Sequence, residues 1–367
     1  MNRVKELLRN RLTKEQRILP RLLLNTVSRP LDYKRNYNWL QYYLGLWSEE
    51  INYVPPVFIA TITMLCNLRC PTCLYIIKDQ NAFDNKYCID VDKLTEVLDK
   101  YGSRTSNIWL SGGEPLVHPR FDTIVKMCKG FNLTISVGTN GVLLPKNIDT
   151  FEMVDYTTIS VDAVNAEGYR IARGGTEKEF NSIIAGIKML RSRGNNFGIS
   201  FLLSKSNISQ IHRMLDFASK LQVKIVSFHN INPHGDTERF KPLMKTDSET
   251  MKILDGVISR NDYPFDIDLP AIFRPGTDEF KKAVCIQPWY YLCFDERGDV
   301  AYCCHLRHSG SIGNVFGECD FNSSSVVNFR RKMLQGDYPQ DCLYCHRRFM
   351  GKETRFDSVT KRWYVNW

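Results

Sequence analysis

The sequence predicts an α/β protein: a parallel sheet covered by helices, followed by a smaller cysteine-bearing module. Three observations carry this. Six strand-like runs alternate with helical ones between residues 57 and 235. The strands are short, apolar and β-branched, the composition of buried parallel strands. After about residue 240 the alternation gives way to a hairpin, one helix and paired cysteines.

VFIATIT (57–63) reads as the first strand, and three cysteines follow it at once. VDKLTEVLDKYG (91–102) has helical periodicity and a terminal Gly. NIWL (107–110) is a short strand ending in SGGEP, and RFDTIVKMCKGF (120–131) is a helix. LTISVGTNG (133–141) is a strand running into a Gly-rich turn, and YTTISVDA (156–163) is the fourth strand. TEKEFNSIIAGIKMLRSRG (176–194) is an amphipathic helix. FGISFLLSKSN (197–207) is a strand followed by a helix to about 221, and VKIVSFHNINPHG (223–235) is the sixth strand. In such sheets functional residues gather at the C-terminal strand ends. The unusual residues fall there: the cysteines, GGEP, GTNG, SVDA and HNINPHG. Farther on, LCFDERGDVAYCC (292–304) reads as a hairpin turning at Arg297-Gly298. SSSVVNFRRKMLQGDYP (323–339) reads as a helix ending at Gly336, and CLYC (342–345) follows.

The chain has 367 residues, 43% apolar and 24% charged, the profile of a globular protein. No run approaches the roughly 20 apolar residues of a membrane span. A cytoplasmic placement follows, where thiols stay reduced. There, 12 cysteines point to metal rather than disulfides. The net charge of +9 is uneven. Residues 1–47 hold ten Lys/Arg and three acids, a net +7, so basicity belongs to the N-terminal arm. The arm mixes Trp39, Tyr42, Tyr43 and Trp47 with these charges. That mixture suits peripheral association with anionic lipid through residues 1–47, or an arm docked on the protein's own surface. No reader motif supports a nucleic-acid partner.

MLCNLRCPTC (64–73) places three cysteines, Cys66, Cys70 and Cys73, in eight positions. Structural zinc takes four ligands and a disulfide takes two. Three thiolates can hold three irons of a [4Fe–4S] cluster and leave the fourth iron open. Cys66-x3-Cys70-x2-Cys73 after the first strand, with SGGEP at the second strand end, resembles the radical S-adenosylmethionine (radical SAM) superfamily. The resemblance implies a partial (β/α)6 TIM-like barrel over residues 57–240, between the arm (1–56) and a C-terminal module (241–367). It implies an enzyme whose open iron chelates SAM, with cleavage giving a 5′-deoxyadenosyl radical. A flavodoxin- or ferredoxin-type protein would be the reductant. Gly112 and Gly113 let backbone approach closely, and Glu114 or a nearby carbonyl accepts from the SAM amine. Thr139, Asn140, Ser160 and Asp162 take the places of ribose and carboxylate contacts, and Arg173 that of an arginine near the SAM carboxylate. Thr72 stands where relatives often carry an aromatic residue against adenine.

The second module has Cys285, Cys303 and Cys342-x2-Cys345, with Gly298-x4-Cys303 after the hairpin turn. This resembles the SPASM/Twitch extension and implies one auxiliary [4Fe–4S] cluster. Gly351 and Arg355 occupy positions where a full SPASM pattern has further cysteines. A four-cysteine zinc site is the alternative. Cys304 is the rival to Cys303. Cys88, Cys128, Cys293 and Cys319 read as small buried hydrophobes, and His118 as structural. His229 and His234 point toward the presumed cavity. The expected function is a radical SAM oxidoreductase dehydrogenating a small or sugar-derived natural-product intermediate. The alternatives are a cross-linking peptide maturase, an enzyme of a lipid-linked substrate, and a non-enzymatic iron–sulfur carrier or zinc scaffold.

Overall fold

The computed structural model describes residues 32–73, 87–231, 240–260, 262–270, 272, 285–304, 306, 311–339, 342 and 354–365. Cys345, His234, Gly351 and most of the basic arm lie outside the described residues. The six expected strands are all present: β1 Val57–Thr63, β2 Asn107–Gly112, β3 Thr134–Thr139, β4 Tyr156–Ser160, β5 Phe197–Leu203 and β6 Ile225–Asn230. Each is parallel to the next. The helices between them include α2 Val91–Tyr101, α3 Phe121–Gly130, α5 Ala166–Arg173, α6 Glu177–Ser192 and α7 Ile211–Leu221. Two shorter segments complete this half of the fold: α1 Tyr33–Gly45 before the sheet, and α4 Leu144–Asn147 after β3. Local chemistry fits these bounds. Thr176 and Glu179 form a reciprocal capping box at the start of α6. Asn165 caps α5, which ends on left-handed Gly174.

The sheet does not close into a barrel. Its order is β11-β10-β7-β6-β5-β4-β3-β2-β1-β8-β9. Two additions extend the expected six strands. β7 Asp266–Asp268 pairs parallel to β6, and the hairpin β10 Thr354–Asp357 with β11 Arg362–Val365 continues that edge antiparallel. At the other edge β8 Tyr291–Phe294 pairs parallel to β1, and β9 Val300–Ala301 returns antiparallel. Gly298 turns this hairpin with a φ of +83°. The first hairpin of the C-terminal segment therefore extends the barrel sheet itself.

Strands β2, β3, β4 and β6 alternate between buried and half-buried residues. Ile108, Leu110, Ile135, Val137 and Ile159 go to the main core with the helices. Asn107, Trp109, Ser136, Thr158 and Ser227 lie on the other, half-buried face. The concave face of an open barrel borders a cleft, so only one face of these strands needs to be apolar.

The C-terminal segment adds α8 Ser248–Ser259, α9 Gln287–Tyr290 and α10 Ser324–Leu334. A second core joins it to α1. Trp39, Tyr42, Ile51, Tyr53, Trp289, Phe329 and Met333 pack there with Cys303 and Cys342, and Cys285 borders them. Three of the four expected auxiliary ligands thus share one small core. Cys303 follows β9 by two residues, and β9 runs antiparallel to β8, which is parallel to β1. These cysteines therefore sit where β1 begins, and the Cys66 loop sits where it ends.

Helix α1 docks under the N-terminal strand ends. Arg35, 6% exposed, pairs with Asp32 and donates to the carbonyls of Thr105 (2.5 Å), Gly102 (3.0 Å) and Phe131 (3.1 Å). Asn38 exchanges two hydrogen bonds with Val54, and Trp39 Nε1 donates to Ser106 Oγ at 2.6 Å. Trp39 and Tyr42 face the protein body, so the aromatic residues expected on an interfacial face serve the second core. Removing the Arg35 guanidinium strands buried carbonyls. Arg35→Met should lower unfolding stability by about 2–4 kcal/mol in urea titration. A loss below about 0.5 kcal/mol would show that α1 is not pinned by this residue.

Candidate active site at the strand ends

A cavity of about 330 Å³ opens at the C-terminal ends of the strands. Its lining includes Cys66, Cys70, Cys73 and Thr72 from the first loop, and Gly112, Gly113 and Glu114 from the second. Thr139 and Asn140 end β3, Ser160 and Asp162 end β4, and Arg173 comes from α5. All twelve residues expected to hold the barrel's cluster or SAM border this one space. The lining also holds Leu68, Gly138, Ser200 and Leu202, which sequence reasoning did not select, together with His229. Ser200 stands in register with Ser160 on the neighbouring strand, a relation that appears only once the strands are paired.

The two glycines of SGGEP serve the cysteine loop. Gly112 has a φ of +146°, and a Cβ there would lie 2.1 Å from the Thr63 carbonyl oxygen. A Cβ on Gly113 would lie 2.4 Å from the Leu65 oxygen. Backbone hydrogen bonds cross this contact, from Gly113 N to Thr63 O (2.9 Å) and from Glu114 N to Leu65 O (2.8 Å). The close approach expected of these glycines is therefore to the chain carrying Cys66. Within that loop Arg69 Nη1 donates to the Cys66 carbonyl at 2.9 Å, and Cys73 N donates to Cys70 O at 3.0 Å.

Glu114 is 1% exposed, and its carboxylate accepts three hydrogen bonds. The donors are Leu116 N (3.1 Å), Thr139 Oγ1 (2.7 Å) and Asn140 N (2.6 Å). Burial raises its pKa, and these bonds oppose the rise. The carboxylate ties β2 to β3. Those three bonds take up most of the capacity expected for a ligand amine, and the Glu114 and Pro115 carbonyls already accept from Val117 N and His118 N. Asn140 Nδ2 reaches Asn67 Oδ1 at 2.8 Å, which brings the end of β3 to the cysteine loop.

Asp162 adopts a φ of +57° and accepts from Leu202 N at 2.6 Å through Oδ1. Its Oδ2 pairs with Arg173. This is a shielded pair, with the Arg173 and Asp162 side chains 14% and 11% exposed. Burial would lower the Arg173 pKa, but Asp162 and the nearby Cys70 overcome it and the net shift is upward. Arg173 Nε is buried with no hydrogen-bond partner among the described residues. Arg173 also borders the cavity, and a guanidinium there fits an anionic ligand group.

Burial pushes the Cys66 thiol up to about 12, with lesser contributions from Glu114, Cys70 and Cys73. Burial raises Cys70 as well, against Arg173. Thiolates in this loop therefore call for a bound cation. The donor set fits a cluster. The cavity's acids are engaged, Glu114 by three donors and Asp162 by Arg173 and Leu202. Three thiols remain, the number that leaves one iron of a cubane open. Among the described residues, no three His, Cys, Asp or Glu side chains converge tightly enough for a single metal ion. A cubane, whose sulfur ligands sit on separate irons, does not require that.

Other marked residues are structural. His118 is buried, with Nδ1 accepting from Arg120 N and Nε2 donating to Ile89 O. Cys128 and Cys293 are fully buried, and Cys88 is half-buried against Thr63. Arg355 pairs with Asp266 and Asp268 across the β7–β10 edge.

A strand-end cavity lined by three thiols and a guanidinium has the donor set of an iron–sulfur site with room for a ligand bearing a carboxylate. Residues 61–218 match the radical SAM superfamily model, so this part of the chain is a radical SAM domain. The antilisterial bacteriocin subtilosin biosynthesis protein AlbA of Bacillus subtilis is 25% identical over 302 residues, 77% of this chain and 62% of that protein. A GTP 3′,8-cyclase of Alkaliphilus oremlandii is 30% identical over 148 residues, 39% of this chain and 44% of that protein. The chain thus spans less than two thirds of these relatives. Streptococcus suis SuiB shares the fold with a TM-score of 0.61 at 14% identity, covering 86% of this chain and 78% of that one. Native anSMEcpe with bound AdoMet and a Cp18Cys peptide gives 0.60 at 14% identity, covering 79% and 85%.

Because the Glu114 carboxylate joins two strands, Glu114→Ala should lower both the melting temperature and SAM affinity. Lost affinity at an unchanged melting temperature would mean that the carboxylate acts on the ligand alone. Gly113→Ala should displace the cysteine loop and remove about four irons per chain, read by iron analysis. Full iron content in that variant would contradict the close-approach argument.

Proposed function

We propose that this chain cleaves SAM reductively and uses the product radical to take a hydrogen atom from a carbon of a peptide substrate. The observation that carries the reading is the gathering of Cys66, Cys70 and Cys73 with Arg173 and the polar strand ends around one cavity. A [4Fe–4S] cluster on these cysteines would supply the single electron that breaks the sulfonium bond of SAM, giving a 5′-deoxyadenosyl radical.

The chain's own residues do the rest. Arg173 offers a buried donor to the SAM carboxylate, held in place by Asp162. Carbonyls of the GGEP segment accept from the amine. Thr139, Asn140, Ser160 and Ser200 offer hydroxyl and amide groups to the ribose side. Thr72 leaves the adenine face to an apolar neighbour such as Leu68. The buried setting limits water, which protects a radical from quenching.

The peptide assignment rests on the relation to a bacteriocin biosynthesis protein that covers most of this chain. SuiB, of the same fold, has been seen bound to its precursor peptide SuiA. Cys285, Cys303 and Cys342, with Cys345, are proposed to hold an auxiliary cluster. Cys285, Cys303 and Cys342 sit toward the beginning of β1, and the seven residues of that strand, about 23 Å, separate them from the Cys66 loop. The half-buried strand face between them would receive the substrate. A [4Fe–4S] cluster held by the auxiliary cysteines would supply a one-electron acceptor at that end of the sheet. The same placement serves the second reading, dehydrogenation of a small alcohol. The lipid-linked reading loses its support, because the described part of the arm docks at the end opposite the cavity.

Anaerobically reconstituted protein reduced with dithionite should convert SAM to 5′-deoxyadenosine, and Cys70→Ala should abolish this. A deuterated peptide substrate should pass one deuterium into that product. No 5′-deoxyadenosine would end the enzyme reading. Deuterium transfer from a sugar alcohol but from no peptide would replace the substrate class.

A further inference from the structure

We infer that the outer face of α1 is a docking surface for an anionic lipid bilayer. The helix has two unlike faces. Arg35, Asn38, Trp39 and Tyr42 are buried against the body. On the opposite side Tyr33 is 72% exposed, Tyr37 63%, Leu40 51% and Leu44 71%. Their spacing is i, i+4, i+7, i+11, a single stripe along three turns. Four large apolar side chains in one exposed line are unlike the scattered single residues of an ordinary surface.

Charge selects the occupant. Residues 1–29, which precede the stripe in sequence, hold eight Lys/Arg against two acids, and the exposed Lys34 flanks it. A second copy would bring the same positive charge and be repelled. The stripe is also only about 16 Å long, too small for the roughly 800 Å² per partner of a stable interface. A nucleic acid would satisfy the charge but leave Leu40 and Leu44 in water. An anionic bilayer satisfies both, taking the apolar side chains at the headgroup boundary and the cations at the phosphates. No described helix is long and apolar enough to cross a membrane, so contact would be in the interface plane. Since α1 lies under the N-terminal strand ends, the docked protein would hold its SAM cavity away from the lipid, open to a substrate arriving from water.

Full-length protein should sediment with vesicles of 30% phosphatidylglycerol in phosphatidylcholine, and not with phosphatidylcholine alone. Binding should fall steeply between low and physiological salt, where the screening length is about 8 Å. Tyr37→Ser/Leu40→Ser/Leu44→Ser should weaken the partition at least tenfold with an unchanged circular dichroism spectrum. Arg9→Gln/Arg11→Gln/Lys14→Gln/Arg17→Gln should do so at low salt. The inference is overturned if wild type ignores anionic vesicles or if the stripe variant binds as tightly. It is equally overturned if wild type is a dimer that the stripe variant converts to monomer, which would give the face to a second copy.

Discussion

Two backbone hydrogen bonds hold the candidate active site in place: Gly113 N to Thr63 O and Glu114 N to Leu65 O. They bind the end of β2 to the segment that leaves β1 and carries the three thiols. The contact is so close that neither Gly112 nor Gly113 has room for a Cβ. From there the Glu114 carboxylate extends the clamp to Thr139 and Asn140, and Asn140 returns to Asn67 in the cysteine loop. Asp162 makes a parallel tie from the end of β4 to the β5 backbone and to Arg173. A loop that must present three sulfurs in a fixed arrangement is thereby fastened to a rigid sheet. Several polar groups expected to touch a ligand spend much of their hydrogen-bonding capacity on this fastening. Arg173, paired with Asp162, also borders the cavity as a cation.

The open sheet separates two cysteine sets. One sits where β1 ends, and the other where β1 begins, in a core shared by α1 and the C-terminal segment. The half-buried strand faces run between them. This is why α1 matters to the site although it is far from it. Its aromatic residues wall the second core, and its buried arginine bonds to the loops before β2 and β3. The space along these faces is thus bounded at its two ends by different parts of the chain.

Much of this was legible in the sequence, for identifiable reasons. The six barrel strands carry β-branched, apolar runs between Gly-rich turns, a signal that survives without tertiary context. The cysteine spacing and SGGEP were legible because the chemistry constrains consecutive residues. β7 was not: Asp-Ile-Asp between prolines lacks strand propensity, and it is held by Arg355 and Ser358 from almost the far end of the chain. The inward face of α1 was equally hidden, since Trp39 and Tyr42 look alike whether they meet lipid or protein. Glu114 was read as a ligand contact, and its ties to Thr139 and Asn140 emerge only when β2 and β3 lie side by side. Ser200 and Leu202 joined the cavity through register, which a strand read in isolation does not reveal.

The account rests on two cysteine sets holding two clusters, of which only the first serves SAM. Iron and sulfide analysis after anaerobic reconstitution tests this most directly. Wild type should hold about eight irons per chain, and Cys66→Ala/Cys70→Ala/Cys73→Ala about four, with no SAM bound. Four irons in wild type and none in the triple variant would contradict the second cluster. An unchanged iron content in the variant would contradict the account at its centre.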